Sequence, residues 1–283
     1  MARILGSTRP RSGRHSEAFT TSKRSSTSCF RLPQAAVWSE ASLAGMNLIL
    51  FTAAETVRPL PCDDRRAVHL LQVLRRREGD TFDAGLIDGP RGKGTVVAIL
   101  PEALTLSFAW AAEPPPLDPL ILIIGLPRPQ TARDILRDAT SLGVAAIHFV
   151  VTEKGERNYA DSTLWTSGEW RRHLIAGAEQ AFDTRLPEIT HGRTLLEAIA
   201  TLGPDATRLA LDNYDTPRLL SSQPISAGAI ALAFGSERGW SNAERAVLRN
   251  AGFSFVHLGS RVLRLETAVT TAVALMKAKR GLM

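Results

Sequence analysis

Between Gly228 and Arg280 two apolar runs each break off at a glycine-bearing loop, and this alternation restricts the fold more tightly than anything else in the 283 residues. Ile230–Phe234 is an apolar run that meets Gly235 and Gly239. A short run bounded by glycine predicts a buried strand of an α/β sheet. Ser241 stands three residues before Glu244, a capping box that opens a helix. Ala243, Val247, Leu248 and Ala251 give that helix an apolar stripe, and Gly252 sits where its C-terminal cap belongs. Phe253–Leu258 predicts a second strand ending on Gly259, and Glu266 opens a long final helix. Two loops, Gly235–Gly239 and Gly259–Leu265, therefore leave the carboxyl ends of strands, where open α/β sheets bind ligands.

The same pattern extends upstream. Leu120–Gly125 predicts a strand, and Thr131–Leu142 a helix with Ala132, Ile135, Leu136 and Ala139 on its apolar face and Gly143 as its stop. Ala145–Val151 is the next strand, and this βαβ spacing requires a parallel sheet. Ser167–Trp170 opens a helix on which Trp170, Leu174, Ala178 and Ala181 recur at helical spacing; Arg208–Leu211 and Gly228–Phe234 are further strands. Glu113–Pro119 holds four prolines and predicts a stiff extended linker. Before it lie short strands at Asn47–Phe51, Thr81–Ile87, Gly94–Leu100 and Leu104–Ala109, which predict a small barrel. Val68, Leu71 and Leu74 share a helical face. The glycines between positions 89 and 94 read as a hairpin tip, because no Gly-Lys-Ser/Thr completes a P-loop.

Charge separates the first forty-five residues from the rest. They hold seven Lys and Arg against two Glu, a net +5, so of the whole-chain +6 only about +1 remains beyond them. Rich in Ser, Thr and Arg and without apolar periodicity, residues 1–45 are expected to be a disordered basic extension. Three accounts fit: translation starting at Met46, a basic solvated tail, or an organellar transit peptide. A nucleic-acid surface in the remainder must come from clustering rather than bulk charge. No stretch approaches the roughly 20 apolar residues that span a bilayer, so no membrane partner is expected. Cys29 and Cys62 form no ligand spacing and no disulfide framework, which suits a reducing, cytoplasmic setting, or an organelle if the extension is a transit peptide.

Two motifs carry a resemblance. Gly235-Ser-Glu-Arg-Gly-Trp-Ser-Asn-Ala-Glu244 resembles a glycine-rich loop of the SPOUT RNA methyltransferases. Leu258-Gly-Ser-Arg-Val-Leu-Arg-Leu-Glu-Thr-Ala268 resembles the more specific signature of their RsmE-type branch, which methylates N3 of a uridine in small-subunit ribosomal RNA. His69-Leu-Leu-Gln-Val-Leu-Arg-Arg-Arg-Glu-Gly-Asp80 is similar to part of that branch's PUA-like RNA-binding domain. The resemblance implies residues 46–112 as a PUA-like barrel, 113–119 as a linker and 120–283 as a SPOUT α/β domain with a mostly parallel sheet and a deep trefoil knot. It implies S-adenosylmethionine and no metal, with Leu211, Phe234, Gly235, Glu237, Gly239, Leu258, Gly259, Val262 and Leu263 around the cofactor. It also implies small-subunit ribosomal RNA as partner, presented in the assembled subunit, and a homodimer through the C-terminal helix, whose Ala268, Ala272, Leu275 and Met276 suit close approach. The chain departs from the family pattern at Asn47–Phe51, which lacks basic residues, and at Ser141, Ala181–Asp183 and Arg238.

Methyl transfer to uridine N3 needs an aligned nucleophile and a site for the N3 proton. Glu266, Arg264 and Arg261 lie in one loop and are expected to converge as catalytic residues, an arginine stabilising the developing anion. Glu266 is equally placed to be a helix-end charge. Arg75, Arg76, Arg77, Arg91, Lys93, Arg128 and Arg238 are candidate RNA contacts, the three consecutive arginines being alternatively a solvated face. Trp240 either stacks on a base or covers the core, and His69 and His257 cap or pack. Two other functions compete: a ribose 2′-O-methyltransferase of the same fold, and a non-catalytic RNA-binding assembly factor.

Overall fold

A computed structural model describes residues 48–111, 113–214 and 216–283. The basic stretch 1–45 and Asn47 lie outside the described residues. The first strand, β1 (Ile49–Phe51), is buried on both sides. Ile49 and Phe51 join one core with Leu70, Phe82 and Leu104, whereas Leu48 and Leu50 face Ala178. This explains the absence of basic residues there: neither face of the strand meets water.

β2 (Leu60–Pro61) precedes α1 (Arg65–Val68), capped by Asp64, and a π-turn over His69–Val73 continues it. The wider π-turn shifts the expected face: Ala67 and Leu70 are buried, Leu71 and Leu74 only half-buried, and Val68 lies off the core. β3 (Thr81–Leu86), β4 (Arg91–Ile99) and β5 (Ala103–Trp110) complete a five-stranded sheet of order β1-β3-β4-β5-β2. β1 and β3 are parallel and the other pairs antiparallel. β4 starts three residues earlier than Gly94, because Gly92 pairs with both Ala84 and Trp110. Arg91 and Lys93 are thus strand residues, not a hairpin tip.

β6 (Asp118–Gly125) begins inside the expected linker, since Asp118 N–H donates to Gly143 O at 3.0 Å. α2 (Pro129–Ser141) starts on a proline, whose fixed φ and missing N–H suit that first position. It buries Ala132, Ile135, Leu136 and Ala139 and stops at Gly143, φ +74°. β7 (Val144–Val151), α3 (Thr163–Thr166), α4 (Trp170–Gln180), β8 (Glu188–Thr194), α5 (Leu195–Ala200), β9 (Thr207–Leu211), β10 (Ile230–Phe234), α6 (Asn242–Asn250), β11 (Ser254–Val256) and α7 (Leu265–Lys279) follow. Strands β6 to β11 form one sheet of order β11-β9-β10-β6-β7-β8 with every pair parallel. Alternation sends Leu120, Leu122 and Ile124 to a layer with α2, α4 and α7, and Ile123, Ala231 and Ala233 to a layer with α5 and α6.

Three apolar faces read from sequence need correction. On α4, Leu174 and Ala178 are buried, but Ala181 is its exposed C-terminal cap and Gly177 packs in its place. A Cβ on Gly177 would lie 2.3 Å from Arg137 O, so α2 and α4 meet there backbone to backbone. On α6, Ala243 is exposed and the capping carboxylate Glu244 is buried, accepting from Ser241 N–H at 2.7 Å and Glu153 N–H at 2.8 Å. On α7, Ala272 and Met276 are fully buried against this chain's own core, with Ala268 and Leu275 half-buried beside them. The stripe expected to meet a second subunit is used within the chain.

The two sheets are tied together at Phe182–Leu186. Arg91 Nη1 donates to Phe182 O at 2.8 Å and its guanidinium lies over the Phe182 ring. Leu186 N–H donates to Asp88 Oδ1 at 2.9 Å, and Arg185 Nη1 to Asp88 O at 3.2 Å. On the far side Arg65 pairs with Glu179 at 3.2 Å. Among the described residues no helix is long and apolar enough to cross a membrane.

Candidate cofactor and RNA site

The parallel register brings three strand ends level, Leu211 opposite both Phe234 and Val256. The loops leaving them enclose a cavity of about 220 Å³. Its walls include Leu211, Phe234, Gly235, Glu237, Gly239, Leu258, Val262 and Leu263 of the expected cofactor set; Gly259, φ +122°, adjoins wall residue Leu258. Arg261 lines the cavity, whereas Arg264 and Glu266 flank wall residue Leu265 without lining it themselves. Asp212, Asn213, Tyr214, Ser236, Trp240 and His257 also line it, and sequence reasoning left their roles unassigned or open. The position of Asp212–Tyr214 directly after an apolar strand was the available signal.

The Gly235 loop is held by its own chain. A Cβ on Gly235 would lie 2.6 Å from Gly239 C and 2.8 Å from Trp240 N, so glycine is needed for the loop to fold back on itself. Gly239, φ +70°, completes the turn. Lys154 Nζ donates to Trp240 O at 2.8 Å, and Arg238 pairs with Glu156 at 2.8 Å. Glu237 Oε1 accepts from Arg128 N–H at 3.0 Å, tying the loop to the start of α2. Trp240 is 1% exposed and belongs to the core, which removes it as a stacking surface.

The loop after β9 is held differently. Asp212 is buried and accepts from Arg245 Nε at 2.6 Å, from Arg245 Nη2 at 3.3 Å and from Tyr214 N–H at 2.8 Å. Beyond Tyr214 the chain returns along β11, with Leu219 bridged to His257. His257 Nδ1 lies 3.1 Å from Gly259 N, the local cap expected of it.

The candidate RNA contacts differ in their surroundings. Arg75 (φ +53°) and Arg77 are exposed, Arg76 is half-buried, and Arg77 N–H is held by Asp80 at 2.8 Å. Lys93 pairs with Asp83 at 2.6 Å, and Arg91 serves the tie between sheets. Arg238, together with the exposed Arg261, is on the cavity itself.

The cavity suits a flat heteroaromatic group with a polar edge. Leu211, Phe234, Leu258 and Leu263 supply apolar surface, and Ser236 Oγ and Trp240 Nε1, both from wall residues, are buried without a partner. The first N–H groups of α7, beside Leu265, have no side-chain cap and can receive an anion. Among the described residues no group of three or more His, Cys, Asp or Glu is placed to hold a metal ion.

Residues 113–277 match the model of a protein family described as RNA methyltransferase domain. The chain is 39% identical over 242 residues to ribosomal RNA small subunit methyltransferase E of Treponema pallidum, an alignment covering 82% of this chain and 91% of the relative. In structure it is similar to ribosomal RNA small subunit methyltransferase E from Neisseria gonorrhoeae bound to S-adenosyl methionine, with TM-score 0.67, 24% identity, and coverage of 83% and 98% of the two chains. It is also similar to a probable rRNA-methyltransferase from Porphyromonas gingivalis, with TM-score 0.71, 22% identity, and the same two coverages.

Proposed function

Since the chain belongs to the RNA methyltransferase family, and within it to the small-subunit ribosomal RNA methyltransferases of type E, we propose that it moves a methyl group from S-adenosylmethionine to N3 of a uridine in small-subunit ribosomal RNA. The observation carrying this reading is the cavity where β9, β10 and β11 end, walled by both motif loops. S-adenosylmethionine supplies an electrophilic methyl group whose transfer requires alignment more than acid catalysis, because the departing thioether is neutral. Leu211, Phe234, Leu258 and Leu263 would hold its adenine between apolar walls, and backbone at Gly235, Gly239 and Gly259 would read its polar edge. Arg261, on the cavity wall, is assigned the stabilisation of the uridine anion as N3 loses its proton. Arg264 and Glu266, on either side of Leu265, are assigned to positioning and to that proton. Glu237, already tied to Arg128 N–H, supports the loop.

The same reading makes residues 46–112 a PUA-like RNA-binding barrel and residues 120–283 a catalytic unit with a deep trefoil knot, both on family membership. The RNA surface includes Arg75, Arg76, Arg77, Arg238 and Arg128, with the assembled small subunit in the cytoplasm as substrate. A homodimer through α7 would use Thr267, Thr271, Ala274 and Ala278, which follow one another at helical spacing and are not buried. Light scattering at micromolar concentration tests it, and an active monomer would reject it.

Nucleoside mass spectrometry of ribosomal RNA from a strain lacking this gene decides the chemistry. Loss of N3-methyluridine is the expected result. Loss of a 2′-O-methyl nucleoside would transfer the reading to ribose methylation, and an unchanged profile would favour a non-catalytic assembly factor.

A further inference from the structure

The rim of the cavity carries an unusual apolar exposure. Of the three most exposed large apolar side chains among the described residues, Tyr214 at 83%, Val57 at 82% and Val262 at 76%, two line this one cavity. They arrive from different loops, Tyr214 after β9 and Val262 after β11. Tyr214 does not extend from a free loop. Its N–H is fixed by Asp212, which Arg245 clamps, so the chain spends a buried ion pair on placing a ring that faces water. The exposed Arg238 and Arg261 lie on the same walls.

An apolar pair beside Arg261, and beside an Arg238 that is paired with Glu156, fits a nucleobase at the mouth of a cavity whose flanking phosphate meets Arg261. The N3 atom of uridine lies on the pairing edge, so a base attacked there must be unpaired and turn that edge inward. Its two faces then need cover, and unpaired bases are commonly stacked on aromatic rings. We infer that Tyr214 stacks on the unpaired base and Val262 packs against it, making the pair the base-receiving element of the site. The inference rests on the proposed RNA methyl transfer and deepens it, since Arg261 handles charge while Tyr214 and Val262 handle the base as a surface.

The test compares binding of oligouridine and of an abasic oligomer of equal length to the full chain and to its Tyr214→Ala, Tyr214→Phe and Val262→Ala variants. Stacking is worth enough that the full chain should prefer oligouridine by about 10-fold, and Tyr214→Ala should lose most of that preference. Tyr214→Phe should keep it, Val262→Ala should reduce it, and calorimetry should find S-adenosylmethionine binding unchanged in the two Tyr214 variants. A preference for oligouridine that survives Tyr214→Ala overturns the inference. So does a change in oligomeric state of Tyr214→Ala by light scattering, which would make the ring a subunit contact. Binding is read apart from turnover: a wild-type chain that prefers oligouridine through Tyr214 but methylates no ribosomal RNA overturns the enzymatic reading and leaves the base contact standing.

Discussion

Arg245 Nε stands 2.6 Å from Asp212 Oδ2, joining α6 to the loop that leaves β9 at the cavity. The pair is nearly dry, with side chains 12% and 3% exposed. A further hydrogen bond, from Tyr214 N–H to Asp212 Oδ1, makes the ion pair part of the site's geometry.

Removing one partner of such a pair leaves a buried charge alone, which costs about 3–5 kcal/mol. Arg245→Ala is therefore expected to lower the melting temperature and weaken S-adenosylmethionine binding. Asp212→Asn combined with Arg245→Gln should be less destabilised than the two single changes sum to. Thermal melts of wild type, Arg245→Ala, the two single changes and their double variant measure this; an Arg245→Ala protein that melts like wild type removes the clamp from the account.

Gly235→Ala and Gly239→Ala separate space from conformation. The first puts a methyl into backbone at 2.6 Å and the second meets nothing within 4 Å but is held at φ +70°. Overpacking costs about 1–3 kcal/mol, whereas left-handed alanine costs about 1–2 kcal/mol. Urea unfolding should rank Gly235→Ala as the more damaging, with cofactor affinity falling in the same order. The reverse order would mean the loop does not close on itself in solution.

Arg261→Ala should lower single-turnover methyl transfer by about 10²-fold or more, the scale on which anion-stabilising donors act. Glu266→Gln should lower it by about 10²-fold, roughly 2.7 kcal/mol of barrier, while circular dichroism stays unchanged. A wild-type rate in Glu266→Gln would reduce that carboxylate to a charge on the first turn of α7.

Acid should loosen the first sheet in a defined window. Arg66 donates to Glu55 at 2.7 Å and holds its carboxyl down at about 2, against burial, which pushes it up. Burial likewise raises Asp64, but hydrogen bonds from Arg66 outweigh it and its carboxyl is lowered too. A carboxyl lowered in the folded state contributes stability that is complete above its unfolded value, 4.5 for Glu55, and is lost as pH falls toward about 2. Melting temperatures of wild type and Glu55→Gln should therefore converge across that interval as pH drops; parallel curves would show that the ion pair is not formed.

Local signals in the chain were enough to locate the cavity. The capping box at Ser241–Glu244 and the left-handed helix stops at Gly143 and Gly252 occur where sequence placed them, because caps are decided by a few adjacent residues. The apolar runs Arg208–Leu211, Ile230–Phe234 and Phe253–Leu258 read as strands, and the loops after them wall the cavity. The boundaries that slipped, at Arg91 and Asp118, depended on partners across a sheet.

Sequence by itself determined the α/β class, the strand ends that carry the site, and the motifs that place the chain in its family. Only the tertiary structure decided how its charges and apolar faces are used. Arg91 is bound to Phe182 O, 91 positions away, and Glu237 to Arg128 N–H, 109 away, so both are engaged within the chain. Likewise the Ala272–Met276 face of α7 is filled by the chain's own core. Charge carries no periodicity that names its partner, and an apolar stripe is satisfied equally by its own sheet or by another chain, so both choices fall to packing.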